Sequence, residues 1–205
     1  MNIKAKFKQY GLKSSCSRSL KFLLRRIGID YESYYLMVNR IDIDEINRKM
    51  EKFDFSDVEE LSLSDFEKGD PNDFTASKFE LIKSRFESGK YWAFGIIKND
   101  MLVYSCWINT AELQFPTRFF KRFPFRADEG LLQDAYCHPD YRGKKYHSKM
   151  NLYRLFKLYE LKKKKAIVIV LNDNIPAFKS QLKSGFIVEN KITFLKILNR
   201  IFLFD

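Results

Sequence analysis

Cysteine is scarce and scattered in this chain of 205 residues: Cys16, Cys106 and Cys137 are odd in number and far apart. That argues against a disulfide framework and fits a reducing compartment. Histidine is rarer still, with two residues, and no Cys/His cluster has the spacing of a metal site, so no metal is expected. No Gly-x-x-x-x-Gly-Lys-Ser/Thr run occurs, which removes a nucleoside triphosphate loop of that type. Long hydrophobic runs are missing too. The longest clean one, Ala166 to Leu171, has the length of a strand and falls far short of a membrane span. At the N-terminus, Phe22-Leu23-Leu24 is too short for the apolar core of a signal peptide. Acid is missing locally: residues 1–28 hold eight Lys/Arg and no Asp or Glu.

What is present is apolar bulk and positive charge. Hydrophobic residues make up 45% of the chain, with 20 Phe and 11 Tyr, enough for a sizeable core and too many for wholesale disorder. The net charge is +11, unevenly spread. Residues 42–74 hold twelve Asp/Glu against four Lys/Arg, whereas Arg142 to Lys165 holds ten Lys/Arg and one acid, Glu160. Such a field concentrates anionic ligands without choosing among them: CoA phosphates, an acidic carrier protein, anionic lipid and nucleic acid all qualify.

Residues 1–16 are basic and aperiodic. Ser17 or Ser19 can cap a short helix to Ile27, with Leu20, Leu23, Leu24 and Ile27 on one face, Arg18, Lys21, Arg25 and Arg26 on the other, and Gly28 as its stop. Such a helix, at residues 17–28, can lie on an anionic membrane or dock by its leucines, and its three turns favour docking. Tyr34 to Ile43 reads as extended, Glu45 to Phe53 as helix, Val58 to Leu63 as strand, and Thr75 to Glu87 as a helix with Phe79, Ile82 and Phe86 inward. Tyr91 to Ile97 and Met101 to Ile108 form a hairpin through Lys98-Asn99-Asp100. Residues 111–128 form an aromatic and basic loop, with lid, docking and packing roles all open. Its interleaved Phe and Arg could stack on single-stranded bases, but no recognition motif supports nucleic acid. Ala166 to Leu171 is a buried-type strand, Asn174 caps a helix that opens with Pro176 and ends at Gly185, and Phe186–Val188 and Ile192–Phe204 close a sheet.

The centre of the chain is Leu131 to Tyr159. An apolar-leaning run ends at His138-Pro139-Asp140, because proline cannot continue a ladder. Tyr141-Arg142-Gly143-Lys144-Lys145 follows, and then Leu152, Leu155, Phe156 and Tyr159 mark one apolar helix face. Strand, basic turn and helix in this order put backbone N–H groups and a positive dipole end where a phosphate can sit.

Pro139, Arg142 and Gly143 stand where the form Pro-x-Tyr-Arg-Gly-Lys-Gly puts them in the GNAT N-acyltransferase superfamily, whose acyl-CoA motif this stretch resembles. Asn174-Ile175-Pro176-Ala177 and Lys183-Ser184-Gly185-Phe186 resemble that family's Asn-x-x-Ala and Lys-x-Gly-Phe segment. The resemblance covers about Val58 to the C-terminus. It implies an α/β domain at 51–205, with a mixed, mostly antiparallel central sheet flanked by helices. Residues 1–50 form a basic N-terminal helical extension outside it. It further implies acyl transfer from acetyl-CoA or another acyl-CoA to a small-molecule amine acceptor such as an amino sugar, in a cytoplasmic protein or one peripheral to the inner face of the membrane. An acyl carrier protein is a second donor class.

By the same resemblance, the pantetheine bonds to the strand at Tyr136 and Cys137. Its pyrophosphate sits on the N–H groups of Arg142, Gly143, Lys144, Lys145, Tyr146 and His147, with Asn174 also at the cofactor. Asp134 and His138 are base candidates, lying with Tyr136 on one strand face if alternation holds. Glu129 precedes them, and Tyr136, Tyr141 and Tyr146 are acid candidates by type. Two positions depart from the family. Lys145 and His147 replace small residues, and Gln181 stands where many members carry the Tyr that protonates the leaving thiolate. A non-catalytic relative that binds CoA, a carrier protein or an anionic surface is therefore the alternative. Cys137 and His138 alternate across the strand, so a buried strand cysteine is preferred to a Cys–His nucleophile.

Overall fold

A computed structural model describes residues 23–115, 122–198 and 200–204. These residues gather into two compact units. The larger takes residues 39–113 and 122–168; the smaller takes 23–38, 114–115, 169–198 and 200–204. Fold class is mixed α/β, with antiparallel strand pairs outnumbering parallel ones.

In the larger unit, α1 (Ile43–Met50) starts at Asp42, whose carboxylate accepts from the N–H groups of Asp44 and Glu45 at 3.0 and 3.1 Å. That cap satisfies two of the donors every helix start leaves open. A short strand β2 (Glu59–Glu60) and a 3₁₀ turn (Ser64–Lys68) lead to α2 (Ala76–Ser88), which begins after Thr75 and ends at Gly89, φ +65°. The hairpin is present as β3 (Tyr91–Lys98) and β4 (Met101–Asn109). Asn99 and Asp100 carry φ of +51° and +58°, the left-handed pair that a two-residue hairpin turn demands and that Asn and Asp tolerate best. Within the 111–128 loop, β5 (Glu112–Gln114) pairs with β6 (Arg122–Pro124); Phe119 and Phe120 lie outside the described residues.

Strand β7 (Glu129–Cys137) then runs into α3 (Tyr146–Glu160), and β8 (Lys165–Leu171) begins in this unit. The strand order is β8-β7-β4-β3-β2. Side chains alternate across these strands. Ala93 and Trp107, paired in register, face α2, where Phe66 stacks on Trp107 and Ile82 is fully buried with Phe79 and Phe86 packed beside it. Phe94 and Cys106, the next pair, face α3, where Tyr153 meets Phe94. Each large apolar side chain buried here contributes roughly 1.5–3 kcal/mol.

The apolar face expected on α3 is corrected by about a third of a turn. Its buried residues are Lys149, Met150, Asn151, Arg154, Leu155 and Leu158, while Leu152 and Phe156 are half-buried and Tyr159 is exposed. Polar side chains take the inward stripe because, as shown below, they bond one another and the strand carbonyls.

In the smaller unit, a helical turn at residues 23–26 ends at Gly28, φ +81°, and β1 (Ile29–Arg40) follows. The expected start of that helix, Ser17 or Ser19, lies outside the described residues. β1 pairs antiparallel with β9 (Ile187–Ile197), which turns into β10 (Arg200–Phe204), so the apolar C-terminal run is paired. Tyr34, Phe115 and Phe194 form the aromatic centre of this unit, with ring centroids 4.8–6.0 Å apart. Helix α4 (Ile175–Lys183) lies between β8 and β9 in the chain. Among the described residues, no helix is long and apolar enough to cross a membrane.

Candidate functional site

Strand β7 has two unequal edges. One pairs with β4 from Leu131 to Cys137. The other pairs in parallel with β8 only at Glu129, Gly130 and Leu131. Between Ser105↔Tyr136 and Trp107↔Gln133, β7 spends three steps against two on β4. The extra residue is a bulge, and Asp134 sits there with φ +45°. Aspartate accepts that left-handed conformation more readily than most side chains. The bulge breaks the simple alternation expected of Asp134, Tyr136 and His138, yet Asp134 and Tyr136 both reach the α2 side.

The bulge is held from the other side of the sheet by Arg154, which is 1% exposed. Its Nη1 donates to the carbonyls of Trp107 and Gln133, one on each strand, both at 3.3 Å. Its Nη2 donates to Asn151 Oδ1. That bond fixes the amide, so Asn151 Nδ2 donates to His147 Nε2 at 3.3 Å. Neutral His147 then carries its proton on Nδ1, 3.0 Å from the Tyr104 hydroxyl. A second proton on His147 would face an amide that only donates. Burial and the Arg154 charge accordingly lower its pKa from 6.5 to about 4.

At the end of β7, His138 caps a 3₁₀ turn, Pro139–Tyr141, with Nδ1 accepting from the Asp140 N–H at 3.4 Å. Arg142 returns its Nε to the Cys137 carbonyl at 3.3 Å and leaves its guanidinium exposed. Gly143 has φ +83°, and a Cβ there would meet nothing within 4 Å. Lys145 has φ +62° and stands at the N-cap of α3 without capping it by its side chain. No acid occupies the first turn of this helix. The turn is thus an exposed, basic approach to a helix start whose polarity favours an anion. Lys144 lies over the Tyr141 ring at 4.4 Å. His147, expected here through its backbone, turns its ring inward to the polar chain.

On the α2 side, Asp134 is ion-paired with Arg85, which also lies over the rings of Trp107 and Tyr91. The Tyr136 ring packs edge-on against Phe74 at 4.9 Å. Its hydroxyl is buried without a hydrogen-bond partner, and burial with Asp73 and Asp70 nearby pushes its pKa up to about 12. The Lys78 ammonium sits 3.9 Å from the Phe74 centroid and 5.4 Å from that of Tyr136, its pKa lowered by burial.

Asp134, Tyr136, Cys137, His138 and the turn from Arg142 to His147 are therefore neighbours on one strand–turn–helix. Asn174 belongs to the smaller unit, where it accepts from the Ala177 N–H at 3.3 Å and caps α4. Gln181 is buried in the same helix. Burial raises the Cys137 thiol pKa, which keeps it protonated and suits a packed cysteine rather than a nucleophile. Among the described residues no group of His, Cys, Asp and Glu could hold a metal. Arg154, Asn151 and Tyr104 escaped the sequence reading. The signal was there: His147, Asn151 and Arg154 fall at i, i+4 and i+7, a polar stripe on one helix face.

No family model and no curated protein matches this chain. Solved structures do. An acetyltransferase assigned to the GNAT family from Novosphingobium aromaticivorans aligns over 82% of this chain and 66% of its own length, at TM-score 0.55 and 10% identity. A GNAT-family acetyltransferase from Colwellia psychrerythraea aligns over 87% and 61%, at TM-score 0.54 and 13% identity. An aminoglycoside N-acetyltransferase solved with CoA aligns over 65% and 93%, at TM-score 0.52 and 7% identity. This chain thus spans just under two-thirds of the first two. At these identities the likeness is one of fold: the chain has the GNAT-type fold of these structures.

Proposed function

We propose that this protein transfers an acyl group from acyl-CoA to an amine. The observation that carries the reading is the sparing pairing of β7. Past Leu131 its second edge has no strand partner among the described residues, and it leads directly to the basic turn and the N-terminus of α3. An amide-rich pantetheine arm can bond to such an edge as an added strand does, and its phosphates then meet Arg142, Lys144 and first-turn N–H groups. Lys145 takes a left-handed conformation, φ +62°, which turns the chain into α3 and adds a charge beside the first-turn N–H groups.

The acceptor enters from the α2 side. Asp134, half-exposed and oriented by Arg85, attracts an ammonium group and takes its proton directly or through water. The Tyr136 hydroxyl, buried without a partner, is a donor for the departing thiolate, the role that Gln181 cannot fill. An amino sugar or another small amine fits this chemistry; the CoA-bound aminoglycoside acetyltransferase among the similar folds works on a substrate of that kind. The second reading, a donor-binding protein without turnover, draws on Gln181.

Calorimetric titration with acetyl-CoA tests the proposal. The protein binds in the micromolar range, and Arg142→Ala weakens binding about tenfold through one lost charge-assisted contact. Absence of binding defeats transfer from acyl-CoA and leaves an acyl carrier protein as donor, or the non-catalytic reading. Binding without release of free CoA thiol across a panel of amines leaves the donor-binding one.

A further inference from the structure

Single exposed apolar side chains are ordinary, but a cluster of them is not. In the smaller unit, two turns meet at one end of the β10-β9-β1 sheet. The Leu198 N–H donates to the Gly28 carbonyl at 2.7 Å, and a Cβ at Gly28 would come within 2.8 Å of Leu198 Cδ2. Ile29 and Ile197 are in register beside them. The tip carries Leu23, Ile27, Ile197 and Leu198 at 57, 66, 41 and 68% exposure.

The exposed charge around this tip is basic. Arg25, Arg26 and Arg200 are exposed and Lys196 is half-buried. No acid occurs in residues 1–29, which hold eight Lys/Arg, nor between Lys191 and Phe204. Asp30 and Glu32, close by on β1, are buried and ion-paired with Arg25 at 2.9 and 3.5 Å, so Arg25 is neutralised within the protein while Lys196 and Arg200 contribute to the rim's charge. An apolar tip within a cationic rim matches the interface of an anionic bilayer, where apolar side chains enter the acyl boundary and cations meet headgroups. A second copy of this tip would bring two cationic rims together. Nucleic acid would leave the apolar residues without a role.

We propose that the tip formed by the Ile27–Gly28 turn and the β9–β10 hairpin docks on an anionic lipid bilayer. Flotation of the full chain with vesicles tests this, comparing phosphatidylcholine alone with phosphatidylcholine containing one-third phosphatidylglycerol. Binding to the anionic vesicles is expected to be about tenfold stronger or more. Leu198→Glu and Ile27→Glu, at exposed positions that leave the fold intact, each lower it about tenfold. Arg200→Glu lowers the preference for anionic lipid without touching the apolar tip. No binding to anionic vesicles overturns the proposal. So does undiminished binding by Leu198→Glu, since the basic residues 1–22 would then carry it alone. A dimer seen in sedimentation and lost in Leu198→Glu also overturns it, by assigning the tip to self-association.

Discussion

His147 looks like a functional residue in the sequence, since it follows a basic turn in a phosphate motif. Its ring instead joins a buried polar chain, and this has a measurable cost in acid. The folded protein keeps His147 neutral down to about pH 4, whereas the unfolded chain takes up the proton near 6.5. The folded pKa lies below the unfolded one, so the contribution is complete above pH 6.5 and is lost as pH falls toward 4. Its size is on the order of 3 kcal/mol. Urea unfolding from pH 7 to pH 4 should show that loss, and His147→Gln should flatten it. An equal slope in the variant would assign the acid sensitivity to other groups.

At the scale of elements, the bulge in β7 organises the candidate site, and Arg154 organises the bulge. Three acceptors on two strands and a helix share one guanidinium. Arg154→Met leaves all three buried without that donor, a loss of about 3 kcal/mol or more. Arg154→Lys recovers only part of it, because an ammonium lacks the planar fork. Denaturant midpoints for the two variants decide this, and a Met variant as stable as the parent would contradict the role. The same element shows what the sequence could disclose. Pro139, Arg142 and Gly143 located the turn, and Asn99-Asp100 located the hairpin, because local backbone chemistry dictates both. The inward face of α3 was misread because an apolar count gives no credit to polar groups that satisfy one another. The bulge at Asp134 was also hidden, since a one-residue difference in pairing belongs to two strands distant in sequence. Paired Arg85 and packed Lys78 became visible only when α2 met β7 in space.

For the molecule as a whole, charge is the dominant physical property. A net +11 chain with its basic run around the turn attracts anionic ligands over a distance that depends on ionic strength. Acetyl-CoA affinity should therefore fall several-fold between roughly 50 and 300 mM salt, mostly through the association rate. A dissociation constant indifferent to salt would move the weight of binding from the phosphates to the β7 edge.

That edge divides one strand into two chemical environments. Toward β4, the amide protons of β7 are locked in a ladder; past Leu131, those on the other side have no ladder to join. Hydrogen–deuterium exchange along Leu132 to Cys137 should consequently show an alternation of slow and fast amides on either side of the bulge at Asp134. A bound donor that adds itself as a strand would erase the alternation, so the isotope pattern records ligand geometry as well as occupancy.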